Sequence, residues 1–272
     1  MQGVRQFIQT DIKASYLNQL LKVGFNTLDF GSFVSPKAIP QMRDTSDVLA
    51  RLDLNETNTK LLAIVANVKG AEMASAFPEI TYLGYPFSIS ETFQLRNTNA
   101  TLDQSIQRVD EIQSICESQN KVLVTYLSMG FGNPYGDPWN VDIVQYWTKR
   151  LSDLGIKIIA LSDTIGVASP ESITYLFSNL IPVYSKIEFG AHFHTTPDAW
   201  KEKINAAYNN GCKRFDAAIK GYGGCPMAKD ELTGNMPTEN IIAYFKEKKV
   251  ELDLDMSAFN ESMSMTVDIF NT

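Results

Sequence analysis

Short apolar runs alternate with amphipathic stretches along the whole chain, and no other feature limits its fold so tightly. The runs Thr27–Phe33, Leu61–Ala66, Ile80–Tyr85, Lys121–Leu127, Ile156–Ser162, Ile187–His194 and Arg214–Ile219 read as strands buried on both faces. Such strands belong to a parallel sheet covered by helices. The stretches between them carry helix punctuation. Thr101 with Gln104 forms a capping box ahead of Leu102, Ile106, Val109 and Ile112. Asn140 caps a helix that buries Val144, Trp147, Leu151 and Leu154, and Ser169-Pro170 starts another. One helix precedes the first strand, with Ile12, Tyr16 and Leu20 at four-residue spacing and Gly24 as its stop. Others are expected near 46–52, 71–77 and 198–209 and from Pro237, and a last one buries Phe259, Met263, Val267 and Phe270. Arg96 and Asn97 fall in a polar loop, and 129–138 is a loop rich in glycine and proline.

No G-x-G-x-x-G follows the first strand, which disfavours a dinucleotide-binding sheet. The rhythm fits an α/β TIM (β/α)8-type barrel forming one domain over 1–272, with a C-terminal helical extension from about 256. A 272-residue chain that is 44% hydrophobic can fill such a core. Net charge is -7, which argues against nucleic acid or an anionic membrane as partner. Three cysteines without C-x-x-C spacing argue for a reducing compartment. No apolar run reaches the roughly 18 residues of a membrane span, and the first residues do not read as a signal peptide. The expected location is cytoplasmic.

Chemistry in such barrels gathers at the carboxyl ends of the strands. His192 and His194 are the only histidines, and at i and i+2 of a strand they share a face. Two imidazoles so placed can grip a divalent metal; the alternative is a hydrogen-bonded pair closing a strand. Asp29 and Asp163 fall on the same side, where an acid can also serve only to fix a loop. Cys225 sits in a glycine-rich loop before Pro226, where a thiol can exchange a proton. Cys116 and Cys212 read as small buried hydrophobes. Asn235, beside a helix start, is either a turn residue or an amide oxygen completing a metal site.

These residues carry a resemblance. Gly31-Ser32-Phe33-Val34-Ser35-Pro36-Lys37 with Pro40-Gln41-Met42 resembles the segment after the second barrel strand of hydroxymethylglutaryl-CoA lyases. Ser162-Asp163-Thr164-Ile165-Gly166, His192-Phe193-His194, Gly223-Gly224-Cys225-Pro226 and Gly234-Asn235 follow in the family's order and at similar spacing. The resemblance implies a metal-dependent carbon–carbon lyase that cleaves 3-hydroxy-3-methylglutaryl-CoA to acetyl-CoA and acetoacetate. It implies an acyl-CoA substrate, Mg2+ or Mn2+ bound by His192, His194 and Asn235, and a homodimer, the assembly common among relatives. His192 or a nearby carboxylate takes the hydroxyl proton, Cys225 protonates the acetyl-CoA enolate, and Asp29 and Asp163 occupy the family's acidic positions.

The sequence also departs from the family. An Arg-Asp motif closes the family's first strand, and Met1-Gln2-Gly3 aligns just after it. The first strand is therefore expected to be absent from this chain. Thr195 follows the histidine pair where lyases often carry aspartate. A related aldolase or Claisen-type synthase acting on another hydroxy or oxo acid is one alternative, and a catalytically inactive truncated homologue another.

Overall fold

The computed structural model describes residues 1, 4, 6–223 and 233–270. Helix α1 (Thr10–Val23) leads into strand β1 (Thr27–Ser32), followed by α2 (Thr45–Leu49), β2 (Lys60–Ile64), α3 (Val68–Ser75) and β3 (Ile80–Ser88). Then come α4 (Glu91–Thr98), α5 (Leu102–Ser118), β4 (Val122–Ser128), α6 (Val141–Asp153), β5 (Ile158–Asp163) and α7 (Pro170–Val183). The last third holds β6 (Glu188–Thr195), α8 (Trp200–Asn209), β7 (Arg214–Asp216), β8 (Gly234–Asn235), α9 (Thr238–Glu247) and α10 (Met256–Phe270).

Strands β1 to β7 pair in sequence order, every pair parallel. Each strand is joined to the next through helices, as a parallel ladder requires. The sheet curls into a half-barrel. Among the described residues, β1 and β7 each have one parallel neighbour. Strand β8 lies off this path and pairs antiparallel with β6.

Side-chain alternation gives the sheet two apolar faces. Leu62, Val124 and Ile158 pack together on the concave side, with Ile64, Tyr82, Val122 and Tyr126 around them. The larger core lies between sheet and helices. There Phe193 of β6 meets Phe177 of α7 (6.4 Å) and Phe131 after β4 (5.7 Å), both edge-on. Full burial of such a ring stabilises by about 1.5–3 kcal/mol. It also fixes which face of β6 turns inward, because a slip of one residue would carry the histidines outward.

The caps act as the sequence implies. The Thr101–Gln104 box is formed in both directions, and the Asn140 side chain accepts from the Ile143 amide. Gly24 ends α1 with φ +86°, a conformation open to glycine at little cost. Three expectations are corrected. The segment holding Arg96 and Asn97 is helical, because Ser90 caps its start and Asp137, from the loop after β4, accepts hydrogen bonds from the Thr92 amide and hydroxyl. Strand β7 ends at Asp216 rather than Ile219, because the Ala218 amide leaves the ladder and donates to the Met236 carbonyl. Val267 is 49% exposed; α10 rests on α1 through Phe270, whose ring meets Tyr16, and on the turn after α1 through Phe259, whose ring meets Phe25.

Candidate functional site

The carboxyl ends of the strands form a cup lined by Asp29, Tyr126, His192, His194, Asp216 and Asn235. The two imidazoles share one face of β6, their centroids 5.9 Å apart. Each is held at Nδ1 by an oxygen. His192 Nδ1 lies 3.1 Å from Asp216 Oδ2, across the β6–β7 register. His194 Nδ1 lies 2.6 Å from the Thr164 carbonyl, in the turn after β5. A carbonyl only accepts, so this nitrogen of His194 carries the proton and Nε2 keeps its lone pair.

Burial, then the neighbouring His192, lowers the His194 pKa to about 4, against hydrogen bonds with the Thr164 carbonyl and the Asn235 side chain that raise it. The ring is neutral at physiological pH. Asn235 is the antiparallel register partner of His194. Its amide nitrogen donates to the Tyr222 carbonyl (2.8 Å), leaving Oδ1 as an acceptor.

Asp29 reaches the same cup from β1. The residue is exposed on the open side of the sheet, yet desolvation by the surrounding protein raises its pKa to about 7. The charge of Asp216 adds to the rise, while the Met1 amino group and His192 oppose it. The Tyr126 ring meets the His192 ring at 5.2 Å, nearly edge-on. Burial raises its phenol well above the usual value, and Asp216 and Asp29 add to the rise.

The structure thus brings His192, His194, Asn235 and Asp29 to one place. Asp163 is not among them. Its register partner is Phe193, not a histidine, so its side chain points behind the sheet. There Oδ2 accepts from Lys203 Nζ of α8 (2.7 Å) and Oδ1 from the Val167 amide (2.8 Å). Cys225 lies outside the described residues. Asp216 and Lys203 escaped the sequence reading. Arg-Phe-Asp in a short strand carries no motif, although Asp216 sits where the last strand ends. A lysine in an amphipathic helix reads as solvated, and only the fold reveals its burial.

Among the described residues no three His, Cys, Asp or Glu side chains group as a metal site. The available donors are two imidazole nitrogens and the Asn235 amide oxygen, with Asp216 behind one ring and the Thr164 carbonyl behind the other. Such outer oxygens orient metal-binding imidazoles and fix their tautomer. The set fits part of the shell of a borderline divalent cation, with oxygen donors needed to complete it. Asp29 and Asp216 make the cup electronegative toward such an ion.

The family model described as HMGL-like matches residues 1–266. The hydroxymethylglutaryl-CoA lyase YngG of Bacillus subtilis is 29% identical over 94% of this chain and 85% of its own length. The mitochondrial hydroxymethylglutaryl-CoA lyase of Arabidopsis thaliana is 28% identical over 94% of this chain, and the match spans 54% of that longer protein. A solved HMG-CoA lyase from Brucella melitensis superposes with a TM-score of 0.92 at 27% identity, covering 100% of this chain and 95% of that one. One from Acinetobacter baumannii, in complex with coenzyme A and 3-methylmalate, superposes at 0.90 with 30% identity, covering 99% and 87%.

Proposed function

The chain belongs to the HMGL-like family of enzymes, and from that premise we propose that it is a divalent-metal-dependent carbon–carbon lyase cleaving 3-hydroxy-3-methylglutaryl-CoA. The observation that carries this reading is the pair of inward-facing imidazoles, each with Nδ1 engaged by an oxygen. His192, His194 and Asn235 would hold the ion. When bound, it supplies a positive charge that favours loss of the substrate's hydroxyl proton.

The reaction is a retro-Claisen cleavage. A base removes the proton from the tertiary hydroxyl, whose oxygen forms the ketone of acetoacetate. The C–C bond breaks, and its electron pair passes to the carbon next to the thioester. The acetyl-CoA enolate then takes a proton at that carbon. Asp29 suits the first step because an acid with a pKa of about 7 can accept and return a proton near neutrality. His192, with Asp216 behind it, is the other base within the same cup. The resemblance gives the final protonation to Cys225. The acyl-CoA substrate is drawn from the names of the relatives and from the coenzyme A bound to one of them.

No described helix is long and apolar enough to cross a membrane. Cys116 and Cys212 are buried free thiols, which suits the reducing compartment that a cytoplasmic location provides. Thr195 favours a second reading, a related aldolase or Claisen-type synthase. It is buried, and its hydroxyl donates to the Thr196 carbonyl, so it adds no carboxylate beside the histidines.

The test is to incubate the full chain with 3-hydroxy-3-methylglutaryl-CoA and Mn2+ or Mg2+ and to measure acetoacetate. Product that forms with the wild type and disappears in His194→Ala supports the lyase. Absence of product with either ion, alongside turnover of another hydroxy-acyl thioester, transfers the assignment to the second reading.

A further inference from the structure

Lys203 is a buried lysine with all three of its protons committed. Its side chain is 3% exposed, and Nζ donates to Asp163 Oδ2 (2.7 Å), the Gly166 carbonyl (3.1 Å) and the His194 carbonyl (3.0 Å). An ammonium group has three donors, so none remains for another task. The three acceptors belong to two pieces of chain that must stay in register. Asp163 and Gly166 are the two ends of the turn after β5, and His194 lies near the end of β6. Between those ends sits Thr164, whose carbonyl holds His194 Nδ1.

The turn is gripped on its other side as well. The Asp163 carboxylate accepts from the Val167 amide, the Met129 amide donates to the Thr164 hydroxyl, and the Gly166 amide closes the turn onto the Asp163 carbonyl. Gly166 has φ +76°, and a Cβ there would come within 2.7 Å of the Thr233 methyl, beside the strand that carries Asn235. A single ammonium therefore ties together the backbone of His194 and the turn that fixes its ring.

We infer that Lys203 is the positioning residue for His194: it locks the 163–166 turn against β6 so that the Thr164 carbonyl holds the ring as the Nδ1–H tautomer with Nε2 facing the cup. Lys203 reaches no substrate and acts only through His194. The inference deepens the proposed ion-binding reading and rests on it for the consequence that ion affinity depends on a lysine behind the sheet. It also gives Asp163 a place in the machinery, as the counter-charge that keeps the ammonium buried.

Two variants retain charge balance in that pocket. Lys203→Met combined with Asp163→Asn removes both charges. Lys203→Arg keeps the pair but replaces three converging donors with a planar fork. The full chain labelled with 15N-histidine contains only two imidazoles, and His194→Ala assigns them. In metal-free wild type at pH 7, His194 is expected as a single Nδ1–H tautomer. In each variant, with near-wild-type circular dichroism, that signal should give way to a mixture of tautomers, and Mn2+ affinity should fall about 10–100-fold, as when other outer partners are lost. An unchanged tautomer in both variants, with Mn2+ affinity within about twofold, overturns the inference. If wild type binds no Mn2+ but the ring signals change as described, the positioning role stands and the ion-binding reading fails.

Discussion

Asp216 and His192 are register partners on neighbouring parallel strands, and Asp216 Oδ2 stands 3.1 Å from His192 Nδ1. Neighbouring residues on parallel strands share a face, so the contact follows from the sheet and needs no special loop. A carboxylate at Nδ1 draws the ring proton to that side and leaves Nε2 as the ligand and base nitrogen. Asp216→Ala should therefore lower Mn2+ affinity about 10–100-fold while the fold persists. Isothermal titration checks the first expectation and circular dichroism the second; unchanged affinity would detach Asp216 from the histidine's function.

His194→Ala should abolish stoichiometric ion binding outright. The residue is buried in the cup, its pKa is near 4, and it has a lone pair to offer at neutral pH. Elemental analysis of protein dialysed against Mn2+ gives the answer, and full occupancy in the variant would sink the ligand assignment.

Cys225→Ala separates chemistry from binding. If the thiol supplies the final proton, turnover falls about 10²–10⁴-fold while Mn2+ stoichiometry stays at the wild-type value. Loss of the ion together with activity would place Cys225 at the metal instead.

The order of strands, most helix caps and the shared face of the histidines were legible because each rests on local rules. Period-2 alternation put His192 and His194 together, and Thr101, Asn140 and Ser169 announced their helices. Other features depend on contacts far apart in sequence. Helix α4 is fastened through Asp137, more than forty residues on. Asp163 reads as an active-site acid because it ends a strand, but one position of alternation turns it behind the sheet, where Lys203 meets it. No spacing rule links residues 163 and 203, so the pair emerges only when α8 packs against the ends of β5 and β6. Asp216 was hidden for a similar reason: its partner lies across the sheet.

The Lys203–Asp163 pair should reveal itself in stability through non-additivity. Lys203→Met alone leaves a carboxylate with a fully buried side chain and no counter-charge, a change expected to cost about 3–5 kcal/mol. Adding Asp163→Asn removes the lone charge while leaving an oxygen for the Val167 amide, so the double variant should be markedly more stable than the single one. Urea denaturation of both variants measures the difference. Equal losses would mean that the two side chains are not energetically coupled.

Asp29 predicts the pH dependence of stability. Its folded-state pKa of about 7 lies above the ordinary value of 3.8, so between those values the folded chain holds a proton that the unfolded chain has released. The stabilisation is complete below about pH 4, declines as pH rises, and is gone once pH passes about 7. Asp29→Asn removes this titration. Relative to wild type, the variant should gain stability as pH rises from 4.5 to 8, because wild type then carries an ionised carboxylate disfavoured by desolvation and by the charge of Asp216. Urea midpoints at the two pH values, compared between the proteins, test this. Parallel curves would mean that Asp29 ionises like a surface acid, and it would then be too weak a base for the role assigned to it in the cup.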